Sequence, residues 1–163
     1  MHSPERETSP ESLAKRVSVL MTKPENTDTE APLLLFLKNN GLQAKTFRFT
    51  LTEEILLGIY PNIQDSPEIW QATKEHMLGQ EVEVFLISKD SDNDSDKSVL
   101  EQVVDLVGLE TNPEDNKEGT LRRHMSADSS AGYFKNGFHR PKTPEELVQN
   151  LEVFGLMEEA KEI

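Results

Sequence analysis

Apolar and polar positions alternate in three stretches of the chain. Across residues 16–22, Val17, Val19 and Met21 alternate with Arg16, Ser18 and Leu20. A period of two sends successive side chains to opposite faces, so the stretch predicts a strand buried on at least one face. Lys23-Pro24 closes it, since proline cannot donate to a sheet ladder. Residues 44–51 (AKTFRFTL) and 81–87 (EVEVFLI) predict a second and third strand by the same pattern. Helical signals fall between them. Pro32 and Gly41 bracket LLLFLKNN. Thr52 caps Glu53-Glu54-Ile55-Leu56-Leu57, whose acidic first turn suits the helix dipole. Ser66-Pro67-Glu68 opens a helix that runs through Trp70 to Met77 and stops near Gly79. Val99, Val103, Leu106 and Val107 keep helical spacing over 99–107. Thr143-Pro144-Glu145-Glu146 opens a last helix with Leu147, Leu151, Phe154 and Leu156 on its buried stripe. Residues 110–132 read as irregular, and 133–139 as a short final strand. The order β-α-β-α-α-β-α-β-α predicts an α/β (α+β) sandwich of ferredoxin-like type, with a four-stranded antiparallel sheet covered by helices.

A length of 163 residues fits one domain, and 35% hydrophobic residues suffice for a modest core. Residues 1–13 are rich in Ser, Pro and Glu and predict a disordered tail. The domain is then expected over 14–157, with a short tail at 158–163. No cysteine is present, which excludes disulfides, thiolate metal sites and a Cys nucleophile. The formal net charge of −13 argues against nucleic acid as a partner. A nucleotide site must therefore be a local basic pocket. No apolar run approaches the ~20 residues of a membrane span. The polar N-terminus lacks the apolar stretch of a signal peptide, so a soluble cytoplasmic protein is expected.

Residues 89–98 form an acidic insertion. Asp90, Asp92, Asp94, Asp96 and Glu101 match the first, third, fifth, seventh and twelfth places of an EF-hand calcium loop. Ser95 stands where that loop needs glycine, Lys97 stands at an apolar place, and a strand precedes it. A solvated acidic loop is the better account, and no protein metal site is assigned.

Glu110-Thr111-Asn112-Pro113 through Gly119-Thr120-Leu121-Arg122 resembles the nucleoside diphosphate kinase loop E-T-N-P-x-x-x-x-x-G-T-[IL]-R, contiguous and with its spacing kept. Asn136-Gly137-Phe138-His139 is similar to that family's N-x-x-H. Met21-Thr22-Lys23-Pro24 resembles the end of its first strand, and Tyr60, Asp65 and Pro67 fall at its Tyr and its D-R-P. Together these span roughly residues 16–156. The resemblance implies a nucleoside diphosphate kinase-like fold in which His139 accepts a phosphoryl group as nucleophile. Lys23, Tyr60 and Arg122 would hold the transferred phosphoryl group, Thr111 the nucleotide phosphates and Asn136 the sugar. A neutral imidazole can attack phosphorus and later leave, which splits one transfer into two. Catalysis is then mostly positioning and electrostatics. Mg²⁺ would arrive with the nucleoside di- or triphosphate, bridging its phosphates.

Several positions depart from the family pattern. The Arg that precedes the E-T-N-P loop falls on Val104 or Asp105. The Arg of D-R-P is Ser66, and the base-stacking Phe is Glu68, with Ile69 or Trp70 as substitutes. Arg140-Pro141 replaces the G-S after the histidine. The Glu that orients the imidazole falls on Asn150, which predicts a lost partner, with Glu152 nearby as a replacement. Extra residues, Ser-rich around 126–131, separate Arg122 from His139. The expected function is a divergent domain with weak or no phosphotransfer, used as an interaction or scaffold module. The alternatives are an active kinase and a non-catalytic nucleotide sensor. The resemblance also associates such divergent relatives with cilia and flagella, hence axonemal protein partners. It leaves the oligomeric state open.

Overall fold

The three alternating stretches become a sheet in the computed structural model, which describes residues 9–24, 30–108, 117–124 and 138–163. The elements are α1 (Pro10–Arg16), β1 (Val17–Thr22), α2 (Glu30–Asn39), β2 (Leu42–Thr50), α3 (Glu53–Ile59), a 3-10 turn (Ile63–Asp65), α4 (Pro67–Met77), β3 (Glu81–Lys89), α5 (Val99–Val107), α6 (Leu121–His124), β4 (Phe138–His139), α7 (Pro144–Val153) and α8 (Met157–Lys161). The four strands pair antiparallel in the order β2-β3-β1-β4, as the ferredoxin-like expectation requires. Among the described residues no helix is long and apolar enough to cross a membrane.

Both faces of the sheet are covered, which is why all six residues of β1 are buried. On one face Val17, Val19 and Met21 join Val82, Val84 and Leu86, under Leu13 of α1, Leu56 of α3, Leu147 and Leu151 of α7, and Ala160 of α8. On the other, Leu20, Phe85 and Ile87 meet Leu33 and Leu37 of α2, Val99, Val103 and Val107 of α5, and Phe138 of β4. Odd and even strand positions thus serve two cores.

Two expectations at the ends are corrected. Residues 10–13 of the expected 1–13 tail are helical, forming the start of α1. The Ser9 side chain accepts from the Ser12 amide, Pro10 takes the first turn, and Leu13 and Ala14 are buried. Composition outweighed a cap signal of the kind read at Thr143. At the other end 158–163 is not a free tail, because Met157–Lys161 forms α8 and buries Ala160. Most of the span read as irregular lies outside the described residues, as do the first residues of the expected last strand.

The acidic loop is tied to itself. Asp90 Oδ1 accepts from the Asp92 amide at 2.9 Å and Asn93 Oδ1 from the Ser95 amide at 3.1 Å. Asn93 Nδ2 donates to the Gly41 carbonyl and to Gln102. Lys89 Nζ donates to the Ser95 carbonyl at 2.7 Å. Such side-chain-to-backbone turns are how Asp and Asn normally build loops.

Candidate functional site

Pairing between β1 and β4 sets the site. Met21 lies opposite His139, and Thr22 opposite Phe138. Cross-strand neighbours share a face, so His139 lies on the side of Met21 while Phe138 fills the other core. Lys23 sits one residue past the end of β1 and is buried. Its Nζ lies 6.0 Å from the centre of the Tyr60 ring, within cation–π range. Tyr60 ends α3, whose Thr52 cap and acidic first turn fix its start. The Tyr60 ring meets the His139 ring edge-on, with centroids 5.0 Å apart.

α7 supplies the imidazole's partner. Thr143 and Glu146 form a reciprocal capping box at its start, and Glu146 Oε2 also accepts from the Lys142 amide. That anchor places Asn150, 1% exposed, beside the ring. Asn150 Oδ1 lies 2.8 Å from His139 Nε2. A carboxamide oxygen can only accept, so Nε2 carries the proton and Nδ1 keeps the lone pair. The expected loss of an orienting partner is therefore corrected: the amide makes the bond that an acid would make. Glu152 does not replace it. That side chain is exposed and lines a cavity of about 350 Å³ with Leu57, Gly58, Pro61, Gln149 and Val153.

Arg122, on α6, is 6% exposed. Its guanidinium donates to the carbonyls of Phe138 at 3.1 Å and Gly108 at 3.3 Å. Gly108 ends α5 with a φ of 119°, a conformation that favours glycine, and so turns its carbonyl toward the site. The same oxygen accepts from Arg140 at 2.7 Å. Arg140 is a site residue that sequence reasoning passed over, having registered it as a disruption of the family pattern. Its signal was its place next to His139.

Electrostatics follow from burial. Loss of solvent pushes the His139 imidazole down to about 3, opposed by the Asn150 hydrogen bond and reinforced by the charges of Lys23, Arg122 and Arg140. The ring is thus neutral at any ordinary pH. Burial, then the charge of Arg140, pulls Arg122 down to about 10, and it remains cationic. Burial also lowers Arg140, against the opposing pull of Glu146.

Of the residues expected at the site, Lys23, Tyr60, Arg122 and His139 converge, while Thr111 and Asn136 lie outside the described residues. Asp105 does not reverse the charge of the site, because it is exposed and pairs with Lys97 at 3.0 Å. Ser66 and Glu68 are exposed, and so is Ile69. Trp70 packs against the core with Lys74 Nζ 5.0 Å from its ring centre. Among the described residues, no three His, Asp or Glu side chains are grouped to hold a metal ion.

The sequence matches no protein-family model and no curated protein. Solved structures do match. A nucleoside diphosphate kinase from Encephalitozoon cuniculi is 19% identical, with 85% of this chain and 88% of that chain covered and a TM-score of 0.67. One from Borrelia burgdorferi, a transition-state mimic with bound vanadate and ADP, is 15% identical, with 85% and 86% covered and a TM-score of 0.69. The chain has the nucleoside diphosphate kinase fold. The enzyme from Aquifex aeolicus repeats the likeness at 17% identity, with 85% and 94% covered and a TM-score of 0.67. The nucleoside diphosphate kinase fold thus extends over most of the chain while the sequence has diverged.

Proposed function

We propose that this chain is a divergent nucleoside diphosphate kinase-like domain that binds nucleoside di- and triphosphates and transfers phosphoryl groups weakly through His139. One observation carries this. The Asn150 bond leaves the Nδ1 lone pair of His139 available beside Lys23, Arg122 and Arg140. A neutral ring nitrogen amid cations suits attack on a bound phosphate. In the step, Nδ1 bonds to the γ-phosphorus, the bond from phosphorus to the bridging oxygen breaks, and the diphosphate leaves with those electrons. Nε2 keeps its proton, still donated to Asn150 Oδ1. A similar fold holds ADP and vanadate in the Borrelia protein, which supports the ligand class. With no acidic cage among the described residues, Mg²⁺ would come bound to the nucleotide and supply charge neutralisation there.

Weak transfer has a physical cause. Attack through Nδ1 puts positive charge on a ring whose Nε2–H faces a carboxamide, and a carboxamide stabilises that charge less than a carboxylate would. No cation stands at Val104 or Asp105, and the base finds no aromatic side chain at Glu68. These same losses favour a second reading, an interaction module without turnover, which the sequence resemblance ties to cilia and flagella.

Incubation with γ-labelled ATP and Mg²⁺ separates them. Slow incorporation of acid-labile, base-stable label, lost in His139→Ala, is the expected result. Nucleotide binding without label would leave a sensor. Neither binding nor label would leave the scaffold.

A further inference from the structure

Two guanidinium groups converge on one carbonyl oxygen at the edge of the site. Arg140 reaches Gly108 O at 2.7 Å and Arg122 reaches it at 3.3 Å. Both side chains are buried, at 5% and 6% exposure, and both belong to the surroundings of His139. Like charges held this close repel, and the repulsion is large where water is scarce. The shared oxygen offsets part of it, since it sits at the C-terminal end of α5, where the helix dipole is negative. It also brings one arm of each planar fork to the same point. Two guanidiniums fixed side by side match an anion with several oxygens on adjacent phosphorus atoms better than one with a single charge.

Resting on the polyphosphate reading above, we propose that Arg140 joins Arg122 as a two-armed clamp on the polyphosphate chain of the nucleotide. Arg140 thereby makes the site discriminate by phosphate number. Its position is fixed by sequence adjacency to His139, by the Gly108 carbonyl, and by Pro141, which is buried and stiffens the exit toward α7. The mutual charge is also visible in Arg122, which Arg140 helps to lower. A bound polyphosphate would relieve that repulsion.

The test is calorimetric titration of the full chain with ATP, AMP and inorganic tripolyphosphate, for wild type, Arg140→Gln, Arg140→Lys and Arg122→Gln. Arg140→Gln is expected to weaken ATP and tripolyphosphate about 10- to 100-fold and AMP much less. The preference for ATP over AMP therefore shrinks. A merely structural role would weaken all three alike, and that outcome overturns the proposal. So does wild-type affinity in Arg140→Gln while Arg122→Gln has lost binding. Both leave the polyphosphate reading standing. Wild type that binds neither ATP nor tripolyphosphate sinks that reading and the clamp with it. Should Arg140→Gln fail to fold, Arg140→Lys decides. It keeps the charge but not the fork, so tripolyphosphate should weaken several-fold with an unchanged melting curve. Unchanged affinity would overturn the clamp.

Discussion

His139 and Asn150 form a pair whose properties come from burial. The unfolded chain's imidazole takes up a proton near its ordinary value of about 6.5, while the folded one does so only at about 3. Between those values the unfolded state binds more protons, so stability falls as pH drops, by up to about 1.4 kcal/mol per unit. The contribution is fully present above about 6.5. Urea melts of wild type and His139→Gln should diverge on acidification, with wild type losing more. Parallel curves would contradict this. Asn150→Ala strands the buried Nε2–H and should cost about 1–3 kcal/mol in the same melts. Asn150→Asp should raise the imidazole's pKa, visible in an NMR titration. The meeting of Lys23, Tyr60, Arg122 and His139 was expected from the family resemblance, which fixes each by its place along the chain. Asn150 was misread, since a search for an acid overlooks an amide that accepts the same bond. Arg140 was read only as a departure from the family pattern, and nothing in the sequence announces its buried bond to the Gly108 carbonyl.

Helix α7 carries Asn150 and depends on its start and on its packing. Thr143→Ala removes the cap and half of the capping box, so a loss of about 1 kcal/mol is expected in thermal melts. At the contact with α3, a Cβ on Gly58 would overlap the Val153 side chain. Gly58→Ala should then cost about 1–3 kcal/mol through overpacking, although alanine is the better helix former. A more stable Gly58→Ala protein would mean that α3 and α7 slide apart freely. The strands and the larger helices were readable from periodicity, since each faces one core or two. α1 was hidden by the Ser- and Pro-rich composition around it, although Ser9-Pro10-Glu11 is a start signal. α8 was hidden because it is short and buries little beyond Ala160.

Across the whole molecule, a net charge of −13 contrasts with the buried cations Lys23, Arg122 and Arg140 around His139. The sheet order brings the end of β1 beside β4, and the connections bring α3, α5, α6 and α7 to that same end. No periodicity in the sequence states this convergence, because it depends on which strands pair. The nitrogen NMR signals of the His139 ring, recorded near pH 6 with and without ATP and Mg²⁺, test it most directly. A neutral ring protonated at Nε2, with an Nδ1 signal that moves when nucleotide is added, is the predicted result. A ring that titrates near 6.5, or one indifferent to nucleotide, would contradict the account.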